Sequence, residues 1–461
     1  TIGRTESSGV AVDKNGNLYW AGTFDGRLEF SPTDQHQAGG DSDLFLTRLA
    51  RDGTLAWTRH AGIAFGDGGD VIFPEVVTTD SNGNVYVIRT FRGQVKLGRD
   101  ILRSESKQDI FLLKYSDTGE PVWATKASGI SPDDSLRAGG AVVDSVGNIY
   151  ILGEFTGSIN FAGETALASE EGTQDLFLAR FGVNGTPDWV KQIGGPGEDR
   201  AGGVALDPNG QPVVAGSYQG MGKLDVSVTV FSPSARELFV AKYDSTGELQ
   251  WHRTSMGDEQ TAANVDDVAT GPDGTIGVVG SFTGSLIIEG SATPLLAQDP
   301  DVLLAGFDDN GDLIWTSSFG GGGEDTGQSL AVSSDGNIFA TGTFQQNINL
   351  STMEDEEGTL MVDGEADFFV VKIDTIGRVV WSRQSTGPGK NQIGGLAIDH
   401  LNNCYLAGDF SQTIHLGPRK LTAIGPQDAF LAQLKRDAPR LNLLYEGFID
   451  VEGPEILDTP P

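Results

Sequence analysis

The chain has 461 residues, including 64 glycines, and carries 31 Lys+Arg against 64 Asp+Glu, a formal net charge of −33. That balance argues against nucleic acid, whose phosphates demand clustered cations, and against anionic membrane surfaces. No apolar run approaches the ~20 residues that span a bilayer, so no membrane insertion of this chain is expected, and the single cysteine, Cys404, excludes internal disulfides and thiolate metal sites.

At the start, Thr1-Ile2-Gly3 matches Gln192-Ile193-Gly194, the tail of a Trp-containing strand further on. Residues upstream, an export signal or a larger precursor, are therefore expected. A lone tryptophan then recurs as Trp57, Trp123, Trp189, Trp251, Trp315 and Trp381, at intervals of 66, 66, 62, 64 and 66 residues. Tyr19, Tyr86, Tyr150, Val213, Gly277, Phe339 and Tyr405 keep the same beat. A fixed period this long means one supersecondary unit stacked repeatedly, which overrides a length-based count of domains.

One unit shows the content of all. Gly139 to Asp144 is a small-residue apolar run, Ile149 to Phe155 a β-rich run, Asp175 to Phe181 another, and Pro187 to Gln192 a fourth around Trp189. Turn residues separate them and helical periodicity is missing. Four antiparallel strands repeated at this spacing describe an all-β, seven-bladed β-propeller. The units run approximately over 4–66, 67–130, 131–195, 196–257, 258–320, 321–387 and 388–449 within a single domain 1–449, followed by an acidic, Pro-containing tail over 450–461. The Gly/Ala/Val-rich first strands suit the crowded axis. The fourth strands carry Arg59, Lys191, Arg253 and Arg383 two residues after Trp, where charge on an exposed edge discourages foreign pairing. Each Trp is expected to pack on the adjacent blade. The seventh unit lacks its Trp, and counting 14 residues on from Asp428, as from Asp43 to Trp57, lands on Asn442.

These motifs resemble the bacterial β-propeller proteins of the SBBP repeat type. The residues that carry the likeness are Asp144-x-x-Gly147-Asn148-Ile149-Tyr150-x-x-Gly153-x-Phe155, then Asp175-Leu176-Phe177-Leu178-Ala179-Arg180, Gly185-x-x-x-Trp189 and Gly194-Gly195, and the second unit repeats them from Asp80 to Trp123. Val213 and Gly277 depart from the aromatic, Gly271 from the Asp and Arg89 from a glycine. The resemblance covers essentially the whole chain. It implies an exported, extracellular or cell-surface (or periplasmic) display scaffold, and the family shares no catalytic activity.

Candidate sites come from the connections. Loops such as Asp13-Lys14-Asn15-Gly16-Asn17 superficially resemble a Ca²⁺ loop, but they lack its bidentate Glu, and hairpin turns want the same residues, so no metal or cofactor is expected. In several units an acidic pair stands between the outer strand and the next inner one: Asp67 and Asp70, Asp133 and Asp134, Glu198 and Asp199, Asp258 and Glu259, Glu324 and Asp325. Emerging once per repeat, they either form a partial ring that holds a cation or a basic partner, or cap turns and face water. The third set is the long connections from the second to the third strand, some of which read as small hairpins.

The five histidines have no metal-ligand spacing, and neither His-Glu-x-x-His nor Gly-x-Ser-x-Gly occurs. The leading expectation is a non-enzymatic scaffold binding protein or glycan through its acidic, loop-bearing face. A polysaccharide-acting hydrolase or lyase with an Asp/Glu pair over the channel, and a structural subunit of a surface assembly, are the alternatives.

Overall fold

The computed structural model describes residues 3–31, 33–39, 42–64, 76–97, 100–161, 167–233, 235–350, 358–436 and 438–445. The expected tail over 450–461 lies outside them. The described residues are all-β, with no α-helix and one short 3₁₀ turn, Glu170–Gly172.

The long strands pair antiparallel in consecutive runs. Thr5–Val12, Leu18–Phe24, Ser42–Leu49 and Leu55–Ala64 form the first unit, and the same order recurs down to Asn391–Ile398, Cys404–Phe410, Asp428–Lys435 and Ala438–Tyr445. Second and third strands, such as Leu18–Phe24 and Glu237–Tyr243, are buried along their whole length. That explains why they read as near-continuous apolar runs rather than alternating ones. Their side chains pack between units: Leu18, Trp20, Phe24 and Phe45 of the first unit share a core with Tyr405, Ala407 and Leu431 of the last.

First strands approach one another so closely that only small residues fit. A Cβ on Gly140 would sit 3.1 Å from the Cα of Gly203, and one on Gly395 3.0 Å from the Cα of Gly9. The second of these contacts also shows the first and last units side by side. Backbone bonds stitch boundaries between units: the residue before a third strand accepts from the next unit's first strand, as in Leu136 N–H to Gln108 O (2.9 Å), Ala263 N–H to Arg236 O (3.0 Å) and Thr5 N–H to Gln427 O (2.9 Å).

The tryptophans dock between units, as their spacing suggests. Trp57, Trp123, Trp189 and Trp251 donate their indole N–H to the carbonyls of Asp117, Val183, Ser245 and Asp309, each in the next unit's hairpin. The ring lies on that hairpin's left-handed glycine; at Gly311 (φ +78°) a Cβ would be 2.6 Å from the Trp251 ring. The cations two residues on are not a free edge. Arg59 donates to Gly119 O, Lys191 pairs with Glu248 and Arg253 with Asp312, all across the same boundary. In the seventh unit Asn442 stands opposite Gln433 as Trp57 stands opposite Arg48, and Leu444 covers Gly53.

Trp251→Ala should cost about 2–4 kcal/mol in urea unfolding, and Gly311→Ala about 1–2 kcal/mol. Because both disrupt one contact, the double variant should lose less than the two separate losses combined. Full additivity would show that the ring and the glycine do not support each other.

Each second-to-third connection folds into a small hairpin rather than an open loop. Arg27–Ser31 pairs with Asp34–Gln37, Gln94–Leu97 with Asp100–Arg103, Met221–Asp225 with Val228–Phe231, and Thr413–Leu416 with Arg419–Thr422. Several add to the preceding unit's outer strand, as where Gly62, Ile63 and Ala64 pair with Lys96, Val95 and Gln94. The acidic run Glu354-Asp355-Glu356-Glu357 lies outside the described residues.

Candidate functional site

The acidic pairs divide by position within the pair. Asp134 is buried and its carboxylate accepts the N–H groups of Ile130 (3.0 Å) and Ser131 (2.6 Å). Asp199 accepts from Gly195 N–H (2.9 Å) and Gln219 N–H (3.3 Å), and Asp325 from Gly321 N–H (2.6 Å) and Gln345 N–H (3.2 Å). Since Gln219 and Gln345 follow the second strand, these carboxylates clamp two connections of one unit together. Asp258 accepts from Gln260 N–H and the Thr261 hydroxyl, with Thr261 in the buried place. Asp133, Glu198, Glu259 and Glu324 are exposed. Asp67 and Asp70 lie outside the described residues. Of the pairs, Glu198 is the member that lines the central cavity.

Burial dominates the electrostatics of the clamps. It pushes Asp199 up to about 8 against the two N–H bonds, with Asp175 nearby adding to the rise. Asp325 is raised for the same first reason. The turn acids behave oppositely: Asp80 and Asp399 are held below the ordinary range because side-chain and backbone donors of their own loops outweigh burial. Asp13, at the head of the loop that resembles a Ca²⁺ site, accepts from Asn15 N–H, Asn17 N–H and the Asn17 amide. Its oxygens are thus occupied by the turn. Among the described residues no three metal-ligating side chains gather.

The first strands surround a cavity of about 1130 Å³. Each strand with a described centre carries a bulge there, at Ser8, Gly139, Gly202, Asp266, Gln328 or Gly394. Such a bulge leaves one residue unpaired and aims it off the sheet, here toward the axis. Most are small; Asp266 places a carboxylate in the channel. Walls of protein and the adjacent Asp267 push Asp266 up to about 7, with Arg200 opposing, although water in the channel still reaches it.

Charge collects at the end from which the hairpins spring. On one side Glu154 faces Arg137 (3.5 Å) and accepts from Ala201 N–H (3.0 Å). Burial raises it, while Arg137, Arg200 and Arg236 pull it down. Across the cavity Asp409 accepts from the Gln427 amide and is pushed up to about 7 by burial. These residues escape a reading based on acidic loops. The signal lies in the middle residue of Gly-x-Phe, which is Thr23 or Thr343 in some units but Glu154 and Asp409 in others.

No helix of the described residues is long and apolar enough to cross a membrane. No family profile matches the chain. It is 24% identical over 424 residues to an uncharacterized WD repeat-containing protein, L264, of Acanthamoeba polyphaga mimivirus, covering 73% of this chain and 30% of the relative, so the chain spans about a third of that protein's length. Among solved structures, puromycin hydrolase is similar with a TM-score of 0.49 and 15% identity, covering 97% of this chain and 55% of that one. A gluconolactonase, XC5397 of Xanthomonas campestris, has a TM-score of 0.32 and 11% identity, covering 88% and 84%. The sequence repeat, the antiparallel sheets and the WD-repeat relative together support a β-propeller-type repeat protein.

Proposed function

We propose that the chain is a seven-bladed β-propeller of the SBBP kind, four strands to a blade, that serves as a non-enzymatic scaffold. It binds a protein or glycan partner on the face bearing the hairpins, outside the cell or at its surface. One observation carries this reading: the long connections are unequal hairpins, braced on one another's units at a single end of the sheets. A rigid scaffold that presents variable, structured connections on one face is how binding sites are commonly built. These hairpins also expose apolar side chains. Met221 pairs directly with Phe231, 71% exposed, and Met256, 66% exposed, pairs with Ile287. Single exposed apolar residues are common, but neighbours paired across a hairpin begin the kind of contiguous apolar patch that marks interaction surfaces.

The test is a variant in which the Met221–Asp225 and Val228–Phe231 hairpin is cut to a two-residue turn. A glycan array and a surface-protein pull-down should yield a ligand that the parent binds at least about tenfold more tightly. If every ligand binds the trimmed protein as well as the parent, the hairpin face is not the recognition surface.

A polysaccharide-acting hydrolase or lyase is a second reading, favoured by one observation: Glu154 and Glu198 both reach the cavity. Turnover of a polysaccharide panel that is lost on Glu198→Gln would replace the scaffold reading with it.

A further inference from the structure

In a chain with twice as many acids as bases, three arginines converge on one wall of the channel mouth. Arg137 and Arg200 occupy matching positions on the first strands Ser135–Val143 and Arg200–Leu206, paired with Glu154 and Ser217 respectively. Arg236 stands just before the third strand Glu237–Tyr243 and donates from its guanidinium to the Asn264 amide oxygen (3.0 Å). Two donors are left over. Arg200 lines the cavity and makes no ion pair or side-chain hydrogen bond among the described residues. The Nε of Arg236 is buried without a hydrogen-bond partner among them. A buried, unpaired guanidinium N–H is costly, and such groups in native proteins generally await a ligand or water.

We propose that this arc of the channel mouth binds a small oxyanion-bearing ligand, a carboxylate or phosphate group, held between Arg200 and Arg236 with Arg137 behind. The guanidinium fork matches both groups with two parallel hydrogen bonds, and low-dielectric walls strengthen the attraction. Acids stand near these arginines too, namely Glu154, Glu198, Asp199 and Asp266, so the ligand completes a mixed-charge arc. Glu154 is already engaged by Arg137 and Ala201 N–H, and Glu198 remains exposed at the rim. Burial first, and the neighbouring Arg200 second, hold the Arg236 guanidinium below its ordinary value against the opposing pull of Glu198, Asp199 and Glu154. The cavity, about 1130 Å³, admits a ligand of several carbon atoms. This site is separate from the exposed hairpins, so it stands whether or not they bind a partner.

Calorimetric titration of the intact protein with citrate, with inorganic phosphate and with neutral triethyl citrate tests the proposal. Citrate or phosphate should bind and the triester should not; the relative strengths of the two anions distinguish a carboxylate from a phosphate source. Arg200→Gln, which removes no ion pair or side-chain hydrogen bond among the described residues, should weaken binding about tenfold, with Arg200→Lys intermediate. Arg236→Gln should weaken it further, and Glu198→Gln should tighten it. Binding should also fall as salt rises. Failure of both anions to bind at millimolar concentration, equal binding of the triester, or unchanged affinity in the Arg200→Gln/Arg236→Gln double variant would overturn it.

Discussion

Replacing Lys242 by Met should destabilise the protein by about 3–5 kcal/mol at neutral pH, because it breaks a buried ion pair and leaves the anion behind. Lys242 is 5% exposed, and its ammonium lies 2.8 Å from Asp207 and 2.6 Å from Asp309. Asp207 belongs to the first turn of the same unit and Asp309 to the outer hairpin of the next, so a single cation ties two units. The Asp309 carbonyl also receives the Trp251 indole N–H, which places the ammonium and the indole on one hairpin. Without Lys242, Asp207 keeps the N–H groups of Asn209 and Gln211 but loses its only cation. Asp207 is now held below the ordinary carboxylate range, in part by Lys242. In the variant it should therefore ionise at higher pH, so the loss should shrink as the medium is acidified toward pH 4. The double variant Lys242→Met/Asp207→Asn should recover much of the stability, since it removes the orphaned charge while the Asn oxygen still accepts from the turn. Urea unfolding measures all three proteins. A Lys242→Met midpoint equal to the parent's would show that the ion triad contributes nothing to holding the units together.

That triad also shows what is legible in the chain and what is not. The recurrence of Trp57 to Trp381 and of the Asp-hydrophobic-Phe-Leu element is readable because every unit buries the same face against its neighbour. Departures from the pattern are not readable, since they are compensated across boundaries. Val213 has no phenol to reach the turn acid, and Lys242 takes that place with Asp207. Gly277 has no side chain because the next unit fills the space: a Cβ there would be 2.7 Å from Ile338 and 3.0 Å from Leu330. The same limit applies to the site. A sequence shows Asp133-Asp134 and Glu198-Asp199 as equivalent pairs of charges, but folding turns the second member into a backbone clamp. Nor does it show that Arg137, Arg200 and Arg236, 63 and 36 residues apart, meet at one channel mouth. Their convergence depends on how adjacent inner strands align, which only the stacked units determine.

Stability should fall as the pH rises from 5.5 to 8, the reverse of what paired surface carboxylates produce. Several acids have folded-state values far above the unfolded 3.8, chiefly through burial: the buried Asp175 near 6, Asp409 near 7 and Asp199 near 8, and the half-buried Asp267 and Asp301 near 6; Asp266, near 7 but open to channel water, contributes least. For each of them the folded state holds a proton that the unfolded state has released, between about pH 4 and the raised value. Unfolding then releases protons, so stability declines through this window, by at most about 1.4 kcal/mol per group per pH unit. The net charge of −33 adds self-repulsion of the same sign as acids ionise. Below pH 4 the trend turns over, because Asp80, Asp207 and Asp399 are held low in the folded state and lose their bonds on protonation. A maximum near pH 4 is expected, with a deficit of several kcal/mol at pH 8 in urea unfolding. Asp409→Asn isolates one contributor. Asp409 is 8% exposed and accepts from the Gln427 amide, a bond the Asn oxygen retains. The variant's gain over the parent should grow from about pH 4 upward and be about 2 kcal/mol larger at pH 8 than at pH 5.5, flattening the curve. A midpoint that climbs between pH 5.5 and 8 in the parent, or a uniform effect of Asp409→Asn at both values, would mean that these carboxyls stay ionised in the folded protein.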